Sequence, residues 1–461
     1  MCLGEKAEDK LQSFTFAEIT QLAESDKKNV YLIIESAVYK VTDWLPRHPG
    51  GPDVIRNLSG RDASLVFRTS HPKSSYLYLS KYKIGNVTGN RKTKFDEDYD
   101  ALVDEVYDGE LMKTNYSWYF CKTMISYLIL ALSVSLYVIG SKNESICMQL
   151  FGGFFLGTFF QQTAFLGHDT GHNGVTHNRL YDTMYGVMVG PLLTGISIGW
   201  WKDSHNTHHS VPNVVQHDPD IQHLPVFAVT PQYFNSLYSF YHKRVMVFDA
   251  AARFFVSYQR YLFYPIMALA RFNLYAQSII FIVAKRCEWR KTEAVTTLLF
   301  WTWLIALHYQ CSSASVGFAC LILSHAVAGL LHVQICLSHF PMQTYGEVQY
   351  GEETHGFFDT QIATTMDIDC PEWLDWFHGG LQFQTAHHLF PRIPRHNLRK
   401  LQARLLKFCA EHGKPYYMHP FIDANRKLLS GLQKTAEVAK DPKKAFNFKE
   451  SMLWEGMCAQ G

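Results

Sequence analysis

The chain has 461 residues, room for two or three domains, and a formal net charge of only +2 at pH 7. So balanced a charge, with no basic tail and no interleaving of aromatic and basic residues, argues against a nucleic-acid partner. Aromatic residues make up 15% of the chain, as the interfacial belts of a membrane protein would require, and the ten cysteines form no CxxC pairs, so they read as free thiols in a reducing compartment.

Met1 to Gln12 is polar and charged, unlike a signal peptide. Residues 8–86 read as a small soluble α+β domain. Val30-Tyr-Leu-Ile-Ile and Ala37-Val-Tyr-Lys-Val carry the β-branched and aromatic content of strands. His48-Pro49-Gly50-Gly51 follows, a loop whose glycines let backbone approach a large flat ligand. His71 lies further on, in Ser70-His71-Pro72. Two histidines on facing loops, with Leu58, Leu65 and Phe67 as walls, could ligate a haem from both sides. These residues resemble the cytochrome b5 domain, which implies haem b with His48 and His71 as axial ligands and electron transfer as its task.

Residues 87–117 read as a polar linker. It opens with Asn90-Arg-Lys-Thr-Lys, and Phe95, Tyr99, Leu102, Val103 and Val106 then recur at helical spacing.

Residues 118–140 and 146–167 are each long enough to cross about 30 Å of hydrocarbon. The first histidine cluster, His168-Asp-Thr-Gly-His172, begins where the second of these expected spans ends. Residues 181–201, broken by Pro191, and residues 254–284, which carry Arg260, Arg271 and Gln277, read as interfacial or re-entrant pieces. Between them lies the second cluster, His205-Asn-Thr-His208-His209. Residues 292–311 and 315–337 read as two further spans, the last running into Leu337-Ser338-His339-Phe340-Pro341. His339 is a candidate ligand; His332 and His325, one and two heptads back, are weaker ones. The third cluster is Gln384-Thr-Ala-His387-His388, followed by a basic amphipathic helix with Leu398, Leu401, Leu405, Leu406 and Phe408 as its stripe.

Positions i, i+3 and i+4 share a helix face, so each cluster can aim its imidazoles at one point. The clusters offer more nitrogens than one tetrahedral zinc takes. They suit two metal ions, and imidazole alone leaves open whether these are zinc, copper, iron or nickel. Four spans would keep every cluster on one side of the membrane.

Together these residues closely resemble the front-end lipid desaturases that carry a fused cytochrome b5 domain, over nearly the whole chain. The resemblance rests on HPGG at 48–51, HDTGH at 168–172, HNTHH at 205–209, Trp200-Trp201-Lys202, Asp218-Pro219-Asp220, and Gln384 where most membrane desaturases have histidine. Leu193-Thr-Gly-Ile-Ser-Ile-Gly-Trp-Trp-Lys and Phe255-Val-Ser-Tyr-Gln look like the plant-type branch, which holds both Δ8 sphingolipid and Δ6 acyl desaturases. The resemblance implies an α+β cytochrome b5-like domain plus an α-helical integral membrane desaturase domain (118–390), with about four transmembrane helices and a cytosolic helical cap (391–461).

It further implies two iron ions held by His168, His172, His205, His208, His209, His387 and His388, with His339, and a weak ligand or hydrogen-bonding role for Gln384. Dioxygen would be the co-substrate. Electrons would come from NADH through a cytochrome b5 reductase, and the substrate would be a ceramide or acyl lipid in the endoplasmic reticulum membrane, with haem domain and clusters cytosolic. The expected bond is Δ8 of sphingoid long-chain bases, with Δ6 acyl desaturation the alternative. Trp200, Trp201, Trp376 and Phe377 are candidate tunnel residues. Three features depart from the family pattern: Ala386 replaces the usual Glu of the third cluster, Ser338 replaces an Asn before His339, and the haem domain is not strongly acidic. Rival classes are a lipid hydroxylase with the same metals, a zinc hydrolase, which lacks its HExxH motif here, and a non-enzymatic membrane-anchored haem protein.

Overall fold

The computed structural model describes residues 12–89, 92–284, 288–350 and 356–440. The expected domain start at residue 8, Asn90 and Arg91 of the linker, and the end of the cap from 441 lie outside the described residues. The chain forms two compact units, Met1–Val103 with Val348–Thr360, and Asp104–Glu347 with Gln361–Gly461.

In the first unit, Thr15 starts helix α1 (Phe16–Ser25) with a capping box: Glu18 N donates to Thr15 Oγ1 at 3.2 Å, and Thr15 N donates to a Glu18 carboxylate oxygen at 2.7 Å. The two strand-like runs become β2 (Tyr31–Ile34) and β3 (Ala37–Lys40), an antiparallel pair turned at Glu35. With β1 (Gln12–Phe14), β4 (Arg61–Asp62) and β5 (Lys83–Val87) they make one sheet, in the order β1-β5-β3-β2-β4. β2 is buried along its whole length, as an interior strand of apolar residues should be. The chain between β3 and β5 forms α2 (Pro52–Arg56), α3 (Ser64–Ser70) and α4 (Tyr76–Leu79), which hold the two histidine loops. Helix α5 (Lys94–Asp108) buries Tyr99, Leu102, Val103 and Val106, the stripe read from their spacing.

The second unit begins with a hairpin of long helices, α6 (Tyr116–Lys142) and α7 (Ile146–Gly171). Ser133 Oγ of α6 donates to the Gly152 carbonyl of α7 at 2.8 Å, the close small-residue contact that joins apolar helices. Next come α8 (Arg179–Val187), a wide turn over Met188–Leu192 that contains Pro191, and α9 (Ile198–Ser210). After a short hairpin of β6 (Tyr238–Ser239) and β7 (Arg244–Val245) stand α10 (Ala250–Ala284), α11 (Arg290–Tyr309), α12 (Ala314–Ala328) and α13 (Leu330–His339).

The C-terminal part holds α14 (Gly356–Thr364), β8 (Asp367–Asp369), α15 (Asp375–His378), α16 (Gln384–Leu389), α17 (Leu398–Glu411), β9 (Met418–Pro420) parallel to β8, and α18 (Phe421–Ala439). The amphipathic reading of α17 is visible in its packing, with Leu398, Leu401, Leu405 and Phe408 buried.

Among the described residues, three stretches are long and apolar enough to cross a membrane: Glu110–Lys142, Ala250–Ala284 and Ala314–His339. The expectation of about four spans is met in part, by these three, and two regions differ from the reading. Residues 254–284, expected in the interface, form a single 35-residue helix of crossing length. Residues 146–167 and 292–311 do form helices, but Gln149, Gln161 and Gln162 in α7, and Arg290, Lys291 and Glu293 in α11, dilute their apolar character below that of the other three.

Candidate metal centre and haem site

In the first unit, His48 and His71 face each other with ring centres 5.9 Å apart. Imidazole–metal bonds of about 2 Å on each side of one ion set ring centres roughly 6 Å apart. Each ring is oriented by a backbone carbonyl, which can only accept: His48 Nδ1 donates to Gly51 O at 2.8 Å, and His71 Nδ1 to Phe67 O at 3.0 Å. Each ring therefore carries its proton on Nδ1 and a lone pair on Nε2. Gly51 adopts φ +91, a backbone that turns its carbonyl towards His48 and that a side chain would strain. Phe67 stacks on the His71 ring at 4.4 Å, and Leu58 is buried beside the α2 turn. The pair fits the axial ligation of a haem.

In the second unit the clusters converge. His168 and His172 lie one turn apart at the end of α7, and Trp201 of α9 meets both, at 5.3 and 5.1 Å between ring centres. A Cβ on Gly171 would fall 1.9 Å from the Trp201 ring, so glycine is what lets α9 lie this close to α7. From α9, His205 points to the first cluster, with its ring 5.0 Å from that of His172, and from α16 His387 completes the group at 4.5 Å from His168. The ligand nitrogens of His168, His172, His205 and His387 all lie within 4.8 Å of one another. A second group, His208, His339 and His388, has the same compactness. His209 stands between the two: its Nε2 is 3.1 Å from His205 Nε2, and its ring stacks on His388 at 4.1 Å.

The donor chemistry fits cations. His208 Nε2 and His388 Nε2 are 3.3 Å apart while the other nitrogen of each ring is bonded elsewhere. Two lone pairs that close repel unless a cation or proton joins them, and two ligands on one tetrahedral ion with bonds of 2.0–2.1 Å stand about 3.3 Å apart. The buried Nε2 atoms of His168, His172 and His387 have no hydrogen-bond partner. Burial, reinforced by neighbouring imidazoles, holds His205, His209, His387 and His388 well below the ordinary imidazole range, so they are neutral and ligand-ready. His208 is the exception: burial lowers it, but the carboxylates of Asp218 and Asp220 outweigh that and push it up to about 9.

The rings of the second group are oriented from behind. His208 Nδ1 donates to Asp218 at 2.9 Å, His339 Nδ1 to Thr364 O at 3.1 Å, and His388 Nδ1 to Gln361 Oε1 at 2.9 Å. Gln384 lies against His339, its amide nitrogen 3.1 Å from Nε2, while its buried Oε1 has no partner. A half-turn of that amide would bring the oxygen to the metal side of the ring. Ala386 is fully buried, and Ser338 Oγ, also buried, has no partner.

The remaining candidates separate. His325 is satisfied away from the centre, with Nδ1 donating to Leu321 O at 2.8 Å and Nε2 meeting Tyr275 Oη at 3.1 Å. His332 belongs to neither group, and both its ring nitrogens are buried without a partner. Asp218 and Gln361 were not read from sequence as orienting groups. Asp218 stood only in a motif; Gln361 had no local signal, because it meets His388 through the fold.

A largely apolar cavity opens on the histidines. Ile196, Trp200, Trp201, Leu274, Leu331 and Ile335 line it, with His168, His205, His208, His339, Gln384 and His387 on the reacting side. Trp376 is half exposed and Phe377 packs on Phe421 with rings 6.2 Å apart, so neither of these expected tunnel residues is on its wall.

The family description "Fatty acid desaturase" matches residues 145–420, and "Cytochrome b5-like Heme/Steroid binding domain" matches residues 15–88. The chain is 36% identical to a Delta(8)-fatty-acid desaturase of Helianthus annuus, covering 95% of this chain and 94% of that one. It is 35% identical to an Acyl-lipid (9-3)-desaturase of Borago officinalis, covering 96% and 97%. A Delta 8-(E)-sphingolipid desaturase of Candida albicans is 42% identical over 60% of this chain and 48% of its own length.

Proposed function

The chain belongs to the fatty acid desaturase family and carries a cytochrome b5-like domain, and from that premise we propose that this O2-dependent lipid desaturase places its double bond at Δ8 of sphingoid long-chain bases. The observation that carries the chemistry is the meeting of eight imidazoles from α7, α9, α13 and α16, of which His168, His205, His208, His339 and His387 line an apolar cavity. The Δ8 position is supported by the Delta(8) activities of the sunflower and Candida relatives. The borage relative, at nearly the same identity, favours the second reading, a front-end acyl-lipid desaturase of the Δ6 type.

Two irons held by His168, His172, His205, His387 and His209 on one side, and by His208, His339 and His388 with Gln384 on the other, would supply with dioxygen the oxidising power for –CH2–CH2– + O2 + 2 e⁻ + 2 H⁺ → –CH=CH– + 2 H2O. The chain's own residues do the positioning. Asp218, Gln361 and the Thr364 carbonyl hold the ligand rings, Trp200 and Trp201 keep water from the reacting carbons, and the cavity wall fixes which methylene pair lies beside the histidines. His48 and His71, by filling both axial positions, would restrict haem b to electron transfer. NADH, through a cytochrome b5 reductase, would be the source.

We place the protein in the endoplasmic reticulum membrane, with haem domain and histidines cytosolic. Arg392, Arg395, Arg399, Lys400, Arg404 and Lys407 on and before α17 favour that side. Expression in yeast lacking Δ8 desaturation, supplied with both lipid types, tests the position by mass spectrometry. New double bonds at Δ8 of long-chain bases are expected; new unsaturation in acyl chains alone would replace the first reading with the second.

A further inference from the structure

We propose that Gln361 is a positioning residue that fixes the tautomer of His388. The inference rests on the two-metal reading of the histidine centre. Gln361, on α14, is fully buried, and its amide is held at both ends. Its Nε2 donates to the His209 carbonyl at 2.9 Å, and its Oε1 lies 2.9 Å from His388 Nδ1.

A main-chain carbonyl can only accept, so the amide nitrogen must face His209 and the amide oxygen must face His388. An amide oxygen can only accept, so His388 must carry its proton on Nδ1. Its Nε2 lone pair is then directed at the point where His208 Nε2 lies 3.3 Å away. Thr365 secures the arrangement, its hydroxyl donating to the Gln361 main-chain carbonyl at 2.6 Å. One side chain therefore ties the last residue of the second cluster to the last of the third. Ala386 offers no polar atom, and its Cβ is sealed in the core. The consequence is chemical as well as geometric: a neutral amide orients the imidazole without adding the negative charge that Asp218 brings to His208.

The test compares purified full-length wild type, Gln361→Leu and Gln361→Glu for iron per chain, Mössbauer spectrum and haem absorbance. Gln361→Leu keeps the size but cannot accept. It is expected to retain haem, to fall from two irons to one, and to lose desaturation by about 10- to 100-fold, the usual effect of removing a partner behind a metal ligand. Gln361→Glu, kept protonated by burial, still accepts from Nδ1 and donates its carboxyl O–H to the His209 carbonyl. It is expected to regain the second iron, with an altered quadrupole splitting at one site. Two irons with an unchanged spectrum in Gln361→Leu would overturn the assignment, as would loss of iron in Gln361→Glu while haem is kept. If Gln361→Leu does not fold, the glutamate variant decides alone. A wild type that holds no iron pair would sink the two-metal reading itself, which separates that failure from this one.

Discussion

Asp218 accepts the Nδ1–H of His208 at 2.9 Å, and both side chains are sealed from solvent. The same carboxylate also receives the Asn213 amide N–H and the N–H of Asp220, so its position is over-determined. Asp218→Asn keeps the shape and removes the charge. It is expected to weaken iron retention against a chelator by about 10- to 100-fold with the haem spectrum unchanged. Unaltered iron affinity would show that the carboxylate serves folding alone.

The two cofactor sites are built from different residues, so their losses should be independent. His208→Ala is expected to abolish product while leaving haem absorbance intact. His71→Ala should do the reverse to the cofactors, removing haem and keeping iron, and should also stop turnover with NADH for want of electrons. Simultaneous loss of both cofactors in either variant would contradict this separation.

Gly171 is where α9 closes on α7. In Gly171→Ala the new methyl would meet the Trp201 ring at 1.9 Å, so the ring must move. Overpacking of this kind costs about 1–3 kcal/mol. Because Trp201 also touches His168, His172 and His205, lower thermal stability should be accompanied by lower iron content. Stability lost with full iron would mean that Trp201 does not set the ligand geometry.

Asp367 pins the third cluster to the cap. Its carboxylate accepts from Thr385 N at 2.8 Å, from Gln402 Nε2 at 2.8 Å and from Tyr416 Oη at 2.5 Å. Asp367→Ala strands these buried donors, at about 1–3 kcal/mol each. Thermal unfolding should drop sharply, and protease should cut first in the stretch around α17.

Metal removal should itself destabilise the second unit, since neutral imidazoles packed this closely lose their common partner. Chelation is expected to lower the unfolding temperature of the wild type by more than that of His208→Ala, which keeps only the four-histidine position. Equal shifts in both would place the chelated ion elsewhere.

What could be read in the sequence was local. The clusters were legible because i, i+3 and i+4 on one helix predict convergence, and α9 realises that pattern with His205, His208 and His209. The facing of His48 and His71 was legible because HPGG and Ser-His-Pro both follow a recognisable strand pair. Long-range partners were not. Gln361 stands 27 positions before His388 and 152 after His209, and no periodicity connects them. The span count also resisted reading, because the glutamines of α7 serve the interior. Gln161 bonds Gln334 and the Phe377 carbonyl, so a helix that looks too polar for lipid carries its polar groups inward. Helix α10 posed the converse difficulty: Tyr and Phe in number suit a crossing helix and an interfacial one alike.

The two histidine groups are not alike, four imidazoles meeting on one side and three with an amide on the other. Such inequality means that the paired centre should assemble in order, the richer position filling at scarce metal and the poorer one only as supply rises. A cell short of iron would then accumulate a half-charged enzyme, intact and inert, ready to be completed when the element returns.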